Sequence, residues 1–153
     1  MDISNWEIAA RLGIACLLGG ALGIERQVQG REAGLRTHML LSLGAAVFAL
    51  TSVTGFESFI TSSSSNVQID PGRIASYVAA GVGFIGGGAI LKRDDHISGL
   101  TTAASLWVAA AIGVACGLGL WVAPLVAAGF ALLSLVVFRP LSNYFERRAE
   151  QSS

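Results

Sequence analysis

Long stretches of this 153-residue chain carry no charged side chain. Residues 37–56, 74–91 and 99–138 contain no Asp, Glu, Lys or Arg over 20, 18 and 40 positions. A helix needs about 20 residues to cross the roughly 30 Å hydrocarbon core of a membrane, so these runs fit one, one and two crossings. The apolar stretch 12–24 makes another crossing if it takes in Arg11 or Glu25 at its ends. The sequence therefore predicts an all-α, polytopic integral membrane helical bundle.

The charges between the apolar stretches predict how the bundle is oriented. We place five spans at about 7–25, 38–55, 73–91, 101–117 and 119–138. Lys and Arg are retained on the cytoplasmic side of short loops, and five spans put eight of the ten basic residues on one side. This predicts five transmembrane helices with the N-terminus outside and the C-terminus cytoplasmic. Residues 1–140 form the transmembrane domain, and residues 141–153 form a short cytoplasmic tail.

Composition and motifs argue against several classes of function. Net charge is zero, and the basic residues form no patch with interleaved aromatics, so nucleic acid is not expected as a partner. No metalloprotease motif, P-loop or catalytic triad pattern is present, and we expect neither an enzyme nor a cofactor, with Mg²⁺ left open. The expected surroundings are a lipid bilayer.

The segment GVGFIGGG, residues 81–88, matches the G-x-G-x-x-G pattern of dinucleotide-binding proteins. That interpretation requires a preceding strand and an acidic residue about 20 positions later, and the sequence supplies neither. Close helix packing is favoured instead, because small residues four apart let helix backbones approach in lipid. The alternative is a break in the third helix that exposes carbonyl groups to a cation. The candidate packing residues are Gly19 and Gly23, Gly83 and Gly87, and Gly113 and Gly117.

Polar side chains are expected to cluster at both ends of the spans. At the outer end, Glu7 and Arg11 lie four apart on one helix face, and Asp70 is placed to cap the third helix. We hypothesise that Asp70 also pairs with Arg11 or Arg73, because a buried cation needs a carboxylate partner.

The inner end is richer in charge. A solvated loop is the simpler interpretation of KRDDH, residues 92–96. For Glu25 we favour a functional role, since a carboxylate at membrane depth is costly without a partner or a task. Thr101 and Thr102 open the fourth span, where capping is favoured over lining a polar path.

Five segments in succession resemble the membrane domain of the MgtC/SapB family. They are GGALGIERQ (19–27), AGLRTHML (33–40), DPGRIA (70–75), GVGFIGGGAILKRD (81–94) and GLTTAASLW (99–107). The resemblance implies a multi-pass protein of the bacterial inner membrane, linked to growth in low magnesium. In some members it implies survival in host cells and restraint of ATP synthase. The chain ends about 15 residues after its last predicted span, without the cytoplasmic C-terminal domain of the best-known branch, so we do not expect these last two roles to transfer.

The resemblance also implies which residues matter. Those carried over by motif are Glu25, Arg26, Arg36, Thr37, Asp70, Arg73, Thr101 and Thr102. The metal ligands are unknown; Glu25 and Asp70 are candidates, yet they are predicted near opposite faces and cannot share one ion. A regulatory role through membrane partners, either a second copy or another membrane protein, is the first hypothesis. Transport of a cation such as Mg²⁺ past a broken third helix is the second.

Overall fold

The computed structural model describes residues 3–54, 70, 72–93 and 96–139, and within this part the fold consists of helices and one short hairpin. The helices are α1 (Asn5–Val28), α2 (Leu35–Thr54), α3 (Gly72–Gly88), α4 (Leu100–Gly117) and α5 (Val122–Val137). The hairpin joins α3 to α4 and pairs β1 (Leu91–Arg93) with β2 (His96–Ser98) in antiparallel register. The segment 61–68 between the second and third predicted spans, which reads as a flexible outer loop, and the predicted tail at 141–153 lie outside the described residues.

The described helices agree with the five predicted segments, with two differences at their ends. The third helix stops at Gly88 rather than 91, because Leu91 already pairs with Ser98 in the hairpin. The fifth begins at Val122 rather than 119, because Gly119 adopts a left-handed φ of 80° that interrupts the helix. The helical class is as predicted, but part of the charged segment 92–96 lies on a short hairpin and not in a simple loop.

The exterior of the described helices is apolar, as expected of a helical membrane protein. Trp6, Phe84 and Phe130 are 81%, 86% and 68% exposed. Contiguous apolar surface of this kind is rare on soluble monomers. By length and composition, three of the helices in the described part of the chain could cross a membrane: α1, α2 and α4. Helices α3 and α5 have 17 and 16 residues, about 25 Å at 1.5 Å per residue, so five crossings and their orientation stay predictions.

Side-chain contacts show that α1 and α4 run in opposite directions. Arg11, near the start of α1, binds the carbonyl of Gly117 at the end of α4. Arg26, near the end of α1, binds Thr102 at the start of α4. We call the end with Arg11 the outer end and the end with Arg26 the inner end, following the predicted orientation.

Helix α2 lies between α1 and α4, and glycines on both of those helices allow close approach. A Cβ placed on Gly19 would lie 2.7 Å from the carbonyl oxygen of His38, and one on Gly23 would lie 2.7 Å from the Cα of Leu35. On the other side, a Cβ on Gly113 or Gly117 would collide with the carbonyl oxygen of Ser42 or Ala46. Both glycine pairs therefore lie where α2 comes closest to its two neighbours.

The third glycine pair behaves differently. No atom lies within 4 Å of a Cβ built on Gly83 or Gly87, so neither packs against another helix of the described chain. Helix α3 runs unbroken through 81–88, and the predicted alternative of a broken third helix is not what the structure has. Only Val82 and Gly86 of α3 are buried, which makes it the least enclosed of the helices together with α5.

The glycine contacts make a stability prediction with an internal control. Gly23→Ala and Gly113→Ala should each destabilise the detergent-solubilised protein by about 1 to 3 kcal/mol, because the added methyl overpacks a helix contact. Gly83→Ala should not destabilise it, since that methyl enters open space and alanine favours the helix. Thermal melting of the three variants would test this, and equal losses at Gly83 and Gly113 would contradict the packing described.

Candidate functional site

The buried charges at the inner end form the candidate site. Glu25 and Arg26 are 9% and 5% exposed, although both belong to the last turns of α1. Arg26 Nη1 lies 3.6 Å from Glu25 Oε2, and Arg26 Nη2 donates to Thr102 Oγ1 at 3.1 Å. The structure thus brings together three of the residues selected by motif.

The hydrogen bonding of this group is incomplete. Both carboxylate oxygens of Glu25 and the Nε of Arg26 are buried without a hydrogen-bond partner among the described residues. Buried polar groups in folded proteins nearly always have one, and an exception indicates a functional role or a bound molecule. The Glu25–Arg26 contact is a loose ion pair, since its 3.6 Å exceeds hydrogen-bond range.

A histidine extends the polar group from α1 to α2 and α4. His38 is fully buried, and its Nδ1 lies 2.9 Å from the carbonyl oxygen of Gly34. A carbonyl can only accept, so Nδ1 carries a proton. Its Nε2 lies 3.1 Å from Ser105 Oγ, whose hydroxyl donates to the carbonyl of Thr102 at 2.8 Å. We call Glu25, Arg26, His38, Thr102 and Ser105 the inner polar cluster.

His38, Ser42 and Ser105 were not among the residues chosen by motif. Ser42 donates to the carbonyl of Ala15 at 2.8 Å, which ties α2 to α1 one turn below His38. A signal for them is present in the sequence: polar residues within apolar helices, spaced by four in α2 and by three from Thr102 to Ser105. Such spacing places side chains on one helix face, and here that face is internal.

The other residues selected by motif lie on the surface. Arg36, Thr37, Thr101, Asp70 and Arg73 are all exposed. Asp70 Oδ1 accepts from the backbone N–H of Gly72 at 2.9 Å, a contact of the kind that a capping residue makes at the start of a helix. Pro71, its neighbour, lies outside the described residues. For Arg36, Thr37 and Thr101 the structure offers no contact that explains a special role.

Arg11 does not pair with Asp70. It forms an ion pair with Glu7, four residues earlier on α1, and donates to the carbonyl of Gly117 at 3.0 Å. A cation near a helix C-terminus is favourable, because the dipole is negative there. The hypothesis that Asp70 neutralises Arg11 is therefore wrong, and no ion pair joins Asp70 to Arg73 within the part of the chain that is described.

The two candidate metal ligands lie at opposite ends of the bundle. Asp70 precedes α3 at the outer end, whereas Glu25 lies at the inner end, and the 17 residues of α3 span about 25 Å. Among the residues that the structure describes, no three His, Cys, Asp or Glu side chains are close enough to hold a metal ion. Nothing in the inner polar cluster resembles the set of oxygen ligands that Mg²⁺ prefers.

Comparison with known proteins identifies the family. A family model described as "MgtC family" matches residues 12–144. The chain belongs to the MgtC family. This confirms the resemblance drawn from the sequence segments, and it supports a membrane location.

Several curated relatives match most of the chain. It is 46% identical over 136 residues to the "Putative magnesium transporter YhiD" of Escherichia coli K12, covering 89% of the chain and 62% of that relative. It is 43% identical over 141 residues to "Protein MgtC" of Brucella abortus, covering 92% of the chain and 55% of that relative. The MgtC family chain thus spans little more than half the length of these relatives. No solved structure matches it.

The loose ion pair predicts that the stability of the protein depends strongly on Arg26 as the partner of Glu25. Replacing Arg26 with Gln leaves Glu25 buried and uncompensated, which should cost about 3 to 5 kcal/mol of stability. The double variant Glu25→Gln, Arg26→Gln should recover most of that loss, and exposed Arg36→Gln should change stability by less than about 0.5 kcal/mol. Unfolding in mixed micelles measures all three, and a double variant no more stable than Arg26→Gln would contradict the pairing.

A second pair of variants separates capping from charge at the outer end. Asp70→Asn should leave stability unchanged, because Asn accepts the Gly72 N–H equally well as a cap. Arg11→Gln should lose about 1 to 3 kcal/mol, since it removes a charged donor from the carbonyl of Gly117. Melting temperatures of both variants in the same detergent would test this. A large loss of stability in Asp70→Asn would favour an ion pair of Asp70 with Arg11 or Arg73 after all.

Proposed function

We propose that the protein is a regulatory subunit of the bacterial inner membrane that supports adaptation to low magnesium by binding a partner membrane helix. The proposal extends to this chain what its family membership and the names of its relatives suggest. One observation favours a regulatory role over transport. Helix α3 is continuous, and its glycine pair, Gly83 and Gly87, contacts no other helix of the described chain.

The packing of the other two glycine pairs against α2 supports this interpretation. Gly19 with Gly23, and Gly113 with Gly117, each accept the backbone of α2. In lipid there is little hydrophobic force between helices, so close packing at small residues is a main source of association. The pair Gly83 and Gly87 has the same spacing on an exposed face. Its proposed occupant is an apolar transmembrane helix that carries a small residue at the crossing point, and a second copy of this chain is one such helix.

The same observation weakens the transport alternative suggested by the relative named as a putative magnesium transporter. A broken helix would expose carbonyl oxygens at membrane depth for a cation. Helix α3 is continuous to Gly88, and the carbonyls of Ile85, Gly86 and Gly87 in its last turn accept from Ala89 and Ile90. The inner polar cluster is itself buried, and its carboxylate lies beside Arg26, which repels cations.

Two measurements test the proposal. Purified protein in proteoliposomes with an enclosed magnesium indicator should show no more Mg²⁺ entry than protein-free vesicles. In cells that depend on the protein for growth in low magnesium, Gly83→Leu should abolish growth support, because the larger side chain blocks close approach of a partner helix.

The matched control is Gly129→Leu on α5, where the added side chain also enters open space. It should retain growth support at wild-type abundance. Magnesium flux by pure protein would overturn the regulatory role, and equal behaviour of the Gly83 and Gly129 variants would overturn binding through α3. Crosslinking from a cysteine at position 83 then separates a second copy from a different protein.

A further inference from the structure

The hydrogen bonds around His38 fit two protonation states of its ring. Nδ1 donates to the carbonyl of Gly34 in both states, because a carbonyl can only accept. Nε2 lies 3.1 Å from Ser105 Oγ, and a hydroxyl can either donate a hydrogen bond or accept one. The direction of this second bond therefore decides whether Nε2 carries a proton.

The Ser105 hydroxyl has two acceptors within reach and a single proton to donate. Its oxygen lies 2.8 Å from the carbonyl oxygen of Thr102, one turn earlier on α4. When the hydroxyl donates to Thr102, Nε2 must donate to Ser105, and the ring is an imidazolium with a proton on each nitrogen. When the hydroxyl donates to Nε2, the ring is neutral. A proton can thus be added at Nε2 by rotation of one hydroxyl, without moving a helix.

A buried carboxylate with unused acceptors lies near this ring. Glu25 and Arg26 on α1 both act on His38 through their charges. The two carboxylate oxygens of Glu25 are buried without a hydrogen-bond partner among the described residues, and the contact with Arg26 is 3.6 Å long. Arg26 opposes a positive charge on His38, whereas Glu25 favours one. Because Arg26 leaves both oxygens of Glu25 without a hydrogen bond, the carboxylate can serve as counter-ion to a second cation.

The other helices bring no competing charge to His38. Helix α4 carries no Asp, Glu, Lys or Arg, and its Cys116 lies at the outer end. Helix α3 has Arg73 and Tyr77 in its outer half, and α5 has no titratable side chain. The remaining described charges of the inner end are exposed and screened by solvent: Arg31, Glu32, Arg36, Lys92 and Arg139. The protonation of His38 is therefore set mainly within the inner polar cluster.

A polar groove brings the inner polar cluster close to solvent. It has a volume of about 260 Å³ and lies between the α1–α2 turn, the hairpin and the start of α4. Thr102 belongs to its lining and also contacts Arg26 and Ser105. The groove thus reaches the residue to which the Ser105 hydroxyl donates.

We propose that the inner polar cluster is a proton-binding site, in which His38 Nε2 accepts the proton and Glu25 is the counter-ion. The proton comes from water on the inner side, and the Ser105 hydroxyl turns from Nε2 to the carbonyl of Thr102 as it binds. With the ring neutral, the charges of Glu25 and Arg26 cancel. With the ring protonated, the cluster gains one positive charge where α1, α2 and α4 meet, so the bundle responds to pH near neutrality. The site does not depend on the regulatory proposal, since α3 contributes no residue to it.

Nitrogen NMR of the full-length protein in nanodiscs tests the site directly. The chain has two histidines, so His96→Gln leaves His38 as the single source of ring signals. The Nδ1 signal should show a bound proton throughout, and the Nε2 signal should gain one as the pH falls from about 8 to 5. In this background Glu25→Gln should move the change to lower pH by about 1 to 3 units, because the counter-ion is lost. Glu32→Gln, which removes an exposed inner-end carboxylate, should leave it nearly unchanged.

A second pair of variants covers the case in which Glu25→Gln does not fold. Ser105→Ala removes the hydroxyl that accepts from the protonated ring. It should move the change to lower pH by about 1 unit, since hydrogen bonds to charged groups are stronger than those to neutral ones. Ser42→Ala, which removes a buried hydroxyl bonded to α1 and not to the ring, should leave it unchanged. A ring that keeps one protonation state from about pH 8 to 5 would overturn the proposal, as would equal shifts within either pair of variants.

Discussion

The close approach of α2 to both α1 and α4 is the contact on which the bundle depends. In lipid the apolar exterior contributes little to holding helices together, so association has to come from packing and from hydrogen bonds between helices. Four glycines supply the packing, since each places its backbone against α2 where a methyl group would not fit. From the same helix, Ser42 donates a hydrogen bond to the carbonyl of Ala15, and His38 Nε2 lies within hydrogen-bond distance of Ser105 Oγ. Neither set could form at ordinary interhelical distance.

The buried charges follow from that close packing. Once α1, α2 and α4 are in contact, Glu25 and Arg26 lie inside the bundle and lose access to water and lipid headgroups. Removing two charges from water costs several kcal/mol each, and a 3.6 Å ion pair repays this only in part. A fold retained for stability alone would favour apolar residues at these positions. We propose that the unused hydrogen-bonding capacity of Glu25 and Arg26 serves the function of the protein.

The sequence allowed the helices to be predicted but not which of their faces are internal. Uncharged runs located the helices to within a few residues, because charge is excluded from lipid regardless of tertiary contacts. The identical spacing of Gly19 with Gly23 and of Gly83 with Gly87 gave no means of telling the packed pair from the exposed one. Thr101 and Thr102 were both selected by motif, yet Thr101 is exposed and Thr102 is buried. The motif does not distinguish them, whereas the spacing of Thr102 and Ser105 does. The contact of Asp70 with Gly72 could be anticipated because capping depends on neighbouring residues. The contact of Arg11 with Gly117 could not, because the two residues are 106 positions apart.

That long separation has a consequence for biogenesis. Arg11 leaves the ribosome and enters the bilayer with only Glu7 beside it, since its second partner, the carbonyl of Gly117, has not been synthesised. At about 5 to 20 residues per second, the delay is roughly 5 to 20 s. During this interval the first helix retains a guanidinium group with unused donors at the edge of the hydrocarbon. The final position of Arg11, beside the left-handed turn at Gly119, forms only when the fourth helix has been inserted, so α1 and α4 must complete assembly together.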